Sequence, residues 1–235
     1  MAAKTLESIA FIPDGNRRFA REAGVSFLRA YSLGTRKAWD VMHWLEDYDS
    51  IKSGTFWMLS LENMRKRRAE LGLLFKIFDT ELKRVKSSGY FEANRVRLRF
   101  FGRLELLPRK LLEKVRESEE FTEDFKKRTI NLALGYSGRA EIVDAAKKLA
   151  LDAKHGGLDL SKVDEKGFAK YLYSDIEEPD LVIRTSGTKR TSGFLPYQSA
   201  YSELYFCQHY WSQFTKQDLA EAVLDYEARQ RNFGK

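Results

Sequence analysis

A recurring alternation limits what this chain can fold into more than any other feature. Short, continuously apolar runs occur at Ile9–Pro13 (IAFIP), Thr55–Ser60 (TFWMLS), Thr129–Leu134 (TINLAL), Asp180–Arg184 (DLVIR) and Glu203–Phe206 (ELYF). Between them lie stretches with apolar residues at helical spacing: about Ser32–Glu46, Asn63–Lys86, Leu111–Phe125, Ala140–Ala153, Lys166–Leu172 and Gln217–Arg229. A strand apolar at every position suits the buried centre of a parallel sheet. The helical stretches carry one apolar face each: Ala38, Val41, Met42 and Leu45 on one, Leu71, Leu74, Phe75, Phe78, Leu82 and Val85 on another. Val96–Phe101 alternates instead, with Arg97 and Arg99 on one face. Strands alternating with helices predict an α/β fold, with a mostly parallel central sheet flanked by helices on both faces. No repeat, linker or low-complexity segment interrupts residues 1–235, so one domain is expected.

In such sheets ligands bind beyond the carboxyl ends of the strands. Chemistry is therefore expected at Asp14, Ser60–Asn63, Gly135–Arg139 and Arg184–Ser192. Lys and Arg number 41 against 34 Asp and Glu, an excess that suits anionic partners as well as plain solubility. The apolar runs fall far short of the roughly 20 residues of a membrane span. The opening MAAKTLES has no apolar signal core. Cys207 is the single cysteine, so no internal disulfide can form and an intracellular, cytoplasmic setting is expected. Its own reading is a small buried apolar residue. His43, His155 and His209 are widely separated and match no metal-ligand spacing.

Asp14-Gly15-Asn16-Arg17-Arg18 leaves a strand and opens a helix. Its free N–H groups can cradle phosphate oxygens, and Arg18 can pair with them. Asp14 would repel that anion unless a divalent cation lay between; one carboxylate with phosphate oxygens and waters is an ordinary Mg²⁺ shell. A plain helix cap fits this stretch equally well. Arg184, Lys189, Arg190 and the hydroxyls Thr185, Ser186, Thr188, Thr191 and Ser192 surround Gly187; in isolation this reads as a solvated basic loop, and its place at another strand end makes it a second anion pocket. The order of a Walker A loop is absent, and no G-x-G-x-x-G follows the first strand. Ser60 and Asn63 open the long helix ahead of Arg65, Lys66, Arg67, Arg68 and Glu70. Glu203 enters an apolar strand as a lone acid, and a buried acid needs a partner. Two anion pockets, isolated acids and a wide apolar helix suit a substrate with diphosphate heads and greasy tails. At about 0.8 kcal/mol per buried CH₂, a long tail would dominate its binding.

Four segments, IAFIPDGNRRFA (9–20), FWMLSLEN (56–63), INLALGYSGRAEI (130–142) and DLVIRTSGTKRTSGFLPYQSAYSELYF (180–206), resemble the cis-prenyltransferases, the undecaprenyl diphosphate synthase family, over nearly the whole chain. The resemblance implies condensation of isopentenyl diphosphate onto an allylic prenyl diphosphate with a new cis double bond, giving a polyprenyl diphosphate for lipid carriers. It implies Mg²⁺, a hydrophobic tunnel between sheet and helices, a homodimer and peripheral membrane contact. By position it makes Asp14, Asn16 and Asn63 catalytic. Gly15, Asn16, Arg17, Arg18 and Arg29 would bind the allylic diphosphate. Arg184, Arg190 and Ser192 would bind isopentenyl diphosphate. Ser60 and Glu70 would support the site, and Asp14 and Glu203 would hold the metal. Departures are Ser8 and Thr35 where relatives carry histidines, and Phe19 and Met64 where they carry tryptophan.

Leu73, Leu74, Phe75, Ile77 and Phe78 are expected to narrow the tunnel. Rival readings are a non-head-to-tail condensation and a non-catalytic subunit of a heteromeric synthase. Subunits of that kind tend to lose the first acid, which is present here as Asp14. The basic run 229–234 reads either as reaching a partner or as a solvated tail. Nucleic-acid binding would need base-stacking aromatics among the arginines, and the two anion pockets lack that pattern.

Overall fold

In the computed structural model, residues 5–66 and 68–229 are described; Arg67 and most of the basic run 229–234 fall outside them. β1 (Ser8–Ile12) is buried at every position, as its unbroken apolar sequence requires. Successive strand residues point to opposite faces. Ile9 and Phe11 accordingly join one hydrophobic cluster, and Ala10 and Ile12 a second. After β1 come α1 (Asn16–Glu22), α2 (Phe27–Trp44), β2 (Ser53–Ser60), α3 (Leu61–Lys66), α4 (Arg68–Ser87), α5 (Tyr90–Ala93) and β3 (Val96–Phe101). The chain continues through α6 (Arg109–Thr122), β4 (Arg128–Tyr136), α7 (Gly138–Lys154), α8 (Glu165–Ala169), β5 (Leu181–Arg184), β6 (Glu203–Phe206) and α9 (Lys216–Ala228).

The strands form one six-stranded sheet in the order β3-β4-β2-β1-β5-β6. Every pair is parallel, so the expected mostly parallel sheet is parallel throughout. β3 lies at one edge, where Arg97 is exposed. On the larger face α2, α4, α6 and α9 cover Ile9, Phe11, Phe56, Ile130 and Ile183. Phe11 and Phe56 stack there with ring centroids 4.8 Å apart. On the smaller face Phe194 and Leu195 lie over Ala10, Ile12 and Val182.

α2 begins five residues before the apolar periodicity predicts, because the Ser26 hydroxyl caps it by accepting the Arg29 N–H at 3.2 Å. The expected helix Asn63–Lys86 is described as α3 and α4 on either side of residue 67. α7 starts at Gly138, where a Cβ would lie 2.0 Å from Pro196 Cδ, so packing alone demands glycine.

The topology fixes where a ligand can sit. The chain leaves β1 for β2 on one side and returns to β5 on the other, so the direction of winding reverses at β1. The crevice beyond the strand ends at that reversal is the binding position of open parallel sheets. Ile12 pairs with Arg184 in the sheet register, which puts the residues after β1 directly against those after β5.

Candidate active site

Gly15 makes the turn out of β1 with φ of 103°, and a Cβ there would lie 2.4 Å from Tyr210 Cδ1. Backbone conformation and space both require glycine. The turn leaves Asp14 facing β5. The Asp14 N–H donates to Thr185 Oγ1 at 2.9 Å, and that hydroxyl donates to the Asp14 carbonyl at 2.8 Å. Asp14 Oδ1 accepts the Gly15 N–H at 2.7 Å, and Oδ2 accepts from Arg184 Nη2 at 2.7 Å. Arg18 Nη2 lies 3.2 Å from the same oxygen. Burial raises the Asp14 carboxyl, but the Arg184 hydrogen bond and charge, the Arg18 charge and the Gly15 N–H outweigh it and hold the group below its ordinary value. Asp14 is an anion at neutral pH.

Arg184 is buried at the end of β5, and its Nη1 donates to the Arg190 carbonyl at 2.5 Å and to Ser192 Oγ at 2.7 Å. Arg18 donates to Ser186 Oγ at 2.5 Å and to Thr188 Oγ1 at 3.3 Å. Ser186, Ser192 and Leu195 have φ of 78°, 55° and 46°. Non-glycine residues in that region cost about 1–3 kcal/mol each, and such strain gathers at functional sites. At Ser186 it is held in place by its own N–H donating to the His209 carbonyl at 2.6 Å and the Gly187 N–H to the Cys207 carbonyl at 2.8 Å.

Arg17 and Asn16 meet α2 and α4. Arg17 Nη2 lies 3.4 Å from Glu70 Oε1, and Tyr31 donates to Glu70 Oε2 at 3.1 Å. Glu70 thus positions Arg17 from behind. Asn16 packs on Gly34, where a Cβ would lie 2.9 Å from its Nδ2. Ser60 ends β2 and accepts the Asn63 N–H at 3.0 Å, which sets the start of α3. Asn16 Oδ1, Arg17 Nε and Arg184 Nε are buried without hydrogen-bond partners. An unpaired buried polar group costs about 1–3 kcal/mol, so three in one crevice point to a polar ligand that completes them.

These groups line one cavity of about 870 Å³. It brings together Asp14, Gly15, Asn16, Arg17, Arg18, Ser60, Asn63, Arg184, Arg190 and Ser192. Arg29 is exposed on α2 and does not line it. Glu203 is also elsewhere: it starts β6, opposite Leu181 at the entry end of the sheet, and Arg229 Nη1 donates to it at 2.5 Å. Within one chain the two acids expected to share a metal are therefore not brought together. The lining adds Arg21, to which the sequence reading gave no role, and Arg139, which it placed at a strand exit without a specific role. Arg21 follows Arg17 by one helical turn, and Arg139 sits just beyond the exit of β4; both signals are present in the sequence.

Behind the cations the wall turns apolar at Leu74, Ile77 and Phe78. Leu73 and Phe75 line neither cavity, so only three of the five residues expected to narrow the tunnel face it. A second, apolar chamber of about 70 Å³ lies deeper, among α2, α4 and β2–β4, and shares Thr35, Met58 and Phe78 with the first. Thr35 turns its hydroxyl to the Tyr31 and Ser32 carbonyls of its own helix, at 3.3 and 3.0 Å. Trp39 Nε1 donates to Glu81 Oε2 at 2.7 Å on the chamber wall.

Comparisons with known proteins agree with this geometry. Residues 12–234 match the family described as "Putative undecaprenyl diphosphate synthase". The chain is 41% identical over 230 residues to a tritrans,polycis-undecaprenyl-diphosphate synthase (geranylgeranyl-diphosphate specific) of Methanopyrus kandleri, covering 97% of this chain and 84% of that one. It is likewise 41% identical over 228 residues to the enzyme of that name from Thermoplasma acidophilum, covering 97% and 88%. The crystal structure of lavandulyl diphosphate synthase from Lavandula x intermedia, in complex with dimethylallyl diphosphate, superposes with a TM-score of 0.93 at 30% identity, over 98% of this chain and 99% of that one. A parallel sheet with its cation-lined crevice at the β1–β5 reversal, matched in sequence from end to end, places this chain in the undecaprenyl diphosphate synthase family of prenyltransferases.

Proposed function

We propose that the chain is a cis-prenyl diphosphate synthase that condenses isopentenyl diphosphate with an allylic prenyl diphosphate. The observation that carries this reading is the 2.7 Å pair between Asp14 and Arg184, set in a cavity of about 870 Å³ that grades from arginines to an apolar wall. In the reaction the allylic carbon–oxygen bond breaks, diphosphate departs, the allylic carbon bonds the alkene end of isopentenyl diphosphate, and a proton is released. Arg17, Arg18 and the α1 turn hold the departing diphosphate. Arg184, Arg190 and Ser192 hold the second diphosphate. Asn16 and Asn63, which line the same cavity, are read as flanking the reacting carbon. Donors fixed in advance stabilise the charge that develops on the leaving group. The apolar wall excludes water from the allylic cation.

The donor set at the mouth fits Mg²⁺: one ionised carboxylate, Asp14, beside positions for phosphate oxygens. The chemistry that Mg²⁺ supplies when bound is neutralisation of charge on the diphosphate. Glu203 remains a proposed second acid only through an arrangement beyond the single chain. The assembly is read as a homodimer that touches the membrane surface to release a greasy product. No helix among the described residues is long and apolar enough to cross a membrane.

One observation favours a second reading. An apolar cavity of about 150 Å³ admits benzene, so a chamber of about 70 Å³ holds less than one such ring in this side-chain arrangement. A short tail that stays against Leu74, Ile77 and Phe78 in the larger cavity, including that of a product from joining two short allylic units, needs none of that space. The test incubates the protein with labelled isopentenyl diphosphate, a panel of allylic diphosphates and Mg²⁺, followed by mass analysis. Head-to-tail products of increasing mass support the first reading. A ten-carbon product formed from the allylic substrate alone supports the second. No product with any primer overturns both and leaves the partner-subunit reading.

A further inference from the structure

Cys207, just past the end of β6, is buried, and the start of α9 brings Asp218 to it. His209 lies against Asp218: its Nδ1 is 3.0 Å from each Asp218 carboxylate oxygen. One ligand atom from each of the three residues lies within 4.8 Å of the others. The sequence spacing of the histidines argued against a metal centre; the fold brings a cysteine, a histidine and an acid together instead.

Asp218 Oδ2 also closes the capping box of α9, accepting the Thr215 N–H and hydroxyl at 2.7 Å each. Oδ1 has the His209 ring as its partner. Bonds of about 2.0–2.3 Å to nitrogen, oxygen and sulfur around a tetrahedral ion put ligand atoms about 3.3–3.8 Å apart. The ligand atoms, all within 4.8 Å of one another, lie close to that spacing. The His209 ring is 57% exposed, which leaves a side open for water as a fourth ligand. Asp218 and Glu221 add negative charge beside the sulfur.

We propose that Cys207, His209 and Asp218 form a second cation site that takes a thiophilic transition ion such as Zn²⁺, and that its occupancy stiffens the turn holding Arg18. Sulfur and imidazole select such an ion over Mg²⁺, which prefers an oxygen shell. Binding replaces the thiol proton, released to solvent, by a metal–sulfur bond. Burial pushes the thiol up to about 11, so the proton is there to be displaced. The link to the anion pocket is short. The carbonyls of Cys207 and His209 hold the Gly187 and Ser186 amides, and Ser186 holds Arg18. The binding claim does not depend on the transferase reading.

Because Cys207 is the sole cysteine, its metal bond has an unambiguous signature. The full-length protein is titrated with Co²⁺ in the absence of diphosphate. One equivalent should bind with a thiolate-to-cobalt charge-transfer band. Cys207→Ser should abolish the band, and His209→Gln should weaken binding at least tenfold. His209→Gln alters an exposed side chain and keeps the fold testable should the buried Ser variant misfold. No band in the wild type, or wild-type affinity in His209→Gln, overturns the site. Hydrogen exchange at the Ser186 and Gly187 amides should slow on adding Zn²⁺ to the wild type and stay unchanged in His209→Gln. Unchanged exchange in metal-loaded wild type overturns the coupling.

Discussion

At the exits of β1 and β5 the cavity wall is charged, strained and incompletely paired, whereas the chamber behind Phe78 is apolar and lined by packed side chains. The two regions share the helices α2 and α4 and the strand β2, so the contrast comes from position along the same elements. Strand ends expose backbone and admit loops, which can hold arginines and unusual φ values. Strand middles force side chains into close packing. The mouth is thus organised to be completed by a ligand, and the floor to limit how much of one can enter.

The contrast breaks most severely at Asp14. Asp14→Ala should lower turnover by about 10²–10³-fold or more, with the fold retained and diphosphate binding kept, as measured by steady-state rates and by calorimetry with pyrophosphate. Wild-type turnover in that variant would remove the carboxylate from the mechanism. The floor comes next. Phe78→Ala should cost about 3 kcal/mol, the low end for a buried phenylalanine because the chamber beside it can relax. Denaturant titration measures that cost. The same variant should shift the products to longer chains by mass analysis, and an unchanged distribution would show that Phe78 does not gate the space.

A smaller effect is expected where the two regions meet. Thr35→His would place an imidazole ring at a buried position on the wall shared by the two cavities, and overpacking of that kind costs about 1–3 kcal/mol. The same denaturant titration reads it. The smallest effect is the pH dependence of the mouth. Asp14 titrates lower in the folded than in the unfolded chain. Its contribution to stability is therefore fully present above the ordinary carboxyl value of about 3.9 and is lost as pH falls through the lower folded value. The stability difference between wild type and Asp14→Asn should be flat from neutral pH to about 4 and shrink below it. A difference that already shrinks near pH 6 would contradict the arginine pairing.

Much of this was legible in the sequence, and the failures have physical causes. IAFIP announced β1 because a strand covered on both faces must be apolar throughout. Its exit named Asp14, and DLVIR named Arg184 in the same way. The start of α2 escaped because the apolar stripe is sparse in its first turns: Leu28 lies off the face of Ala38 and Val41 and is exposed, so only the Ser26 cap marks the beginning. Glu203 shows a rule overridden by resemblance. It opens its strand, and the exit rule already put it at the far end from Asp14. Arg29 was carried over by position from the resemblance, and a matched position does not reveal which side of a helix faces a crevice; in the single chain it is exposed and off the cavity wall. Cys207, His209 and Asp218 were invisible because a loop and a helix start separate them, and only tertiary packing closes that gap.

The central place of β1 in the sheet also bears on how the protein comes into being. Asp14 and Arg184 are separated by 170 positions, and β1 finds its partner β5 only after β2, β3 and β4 have been made. Contacts so distant along a chain form late and slowly. During synthesis the first acid waits, its strand paired on one side only, until the last third of the polypeptide arrives. A nascent or truncated chain would have no anion pocket at all, so reactivity toward diphosphates switches on with completion of the sheet rather than growing with chain length.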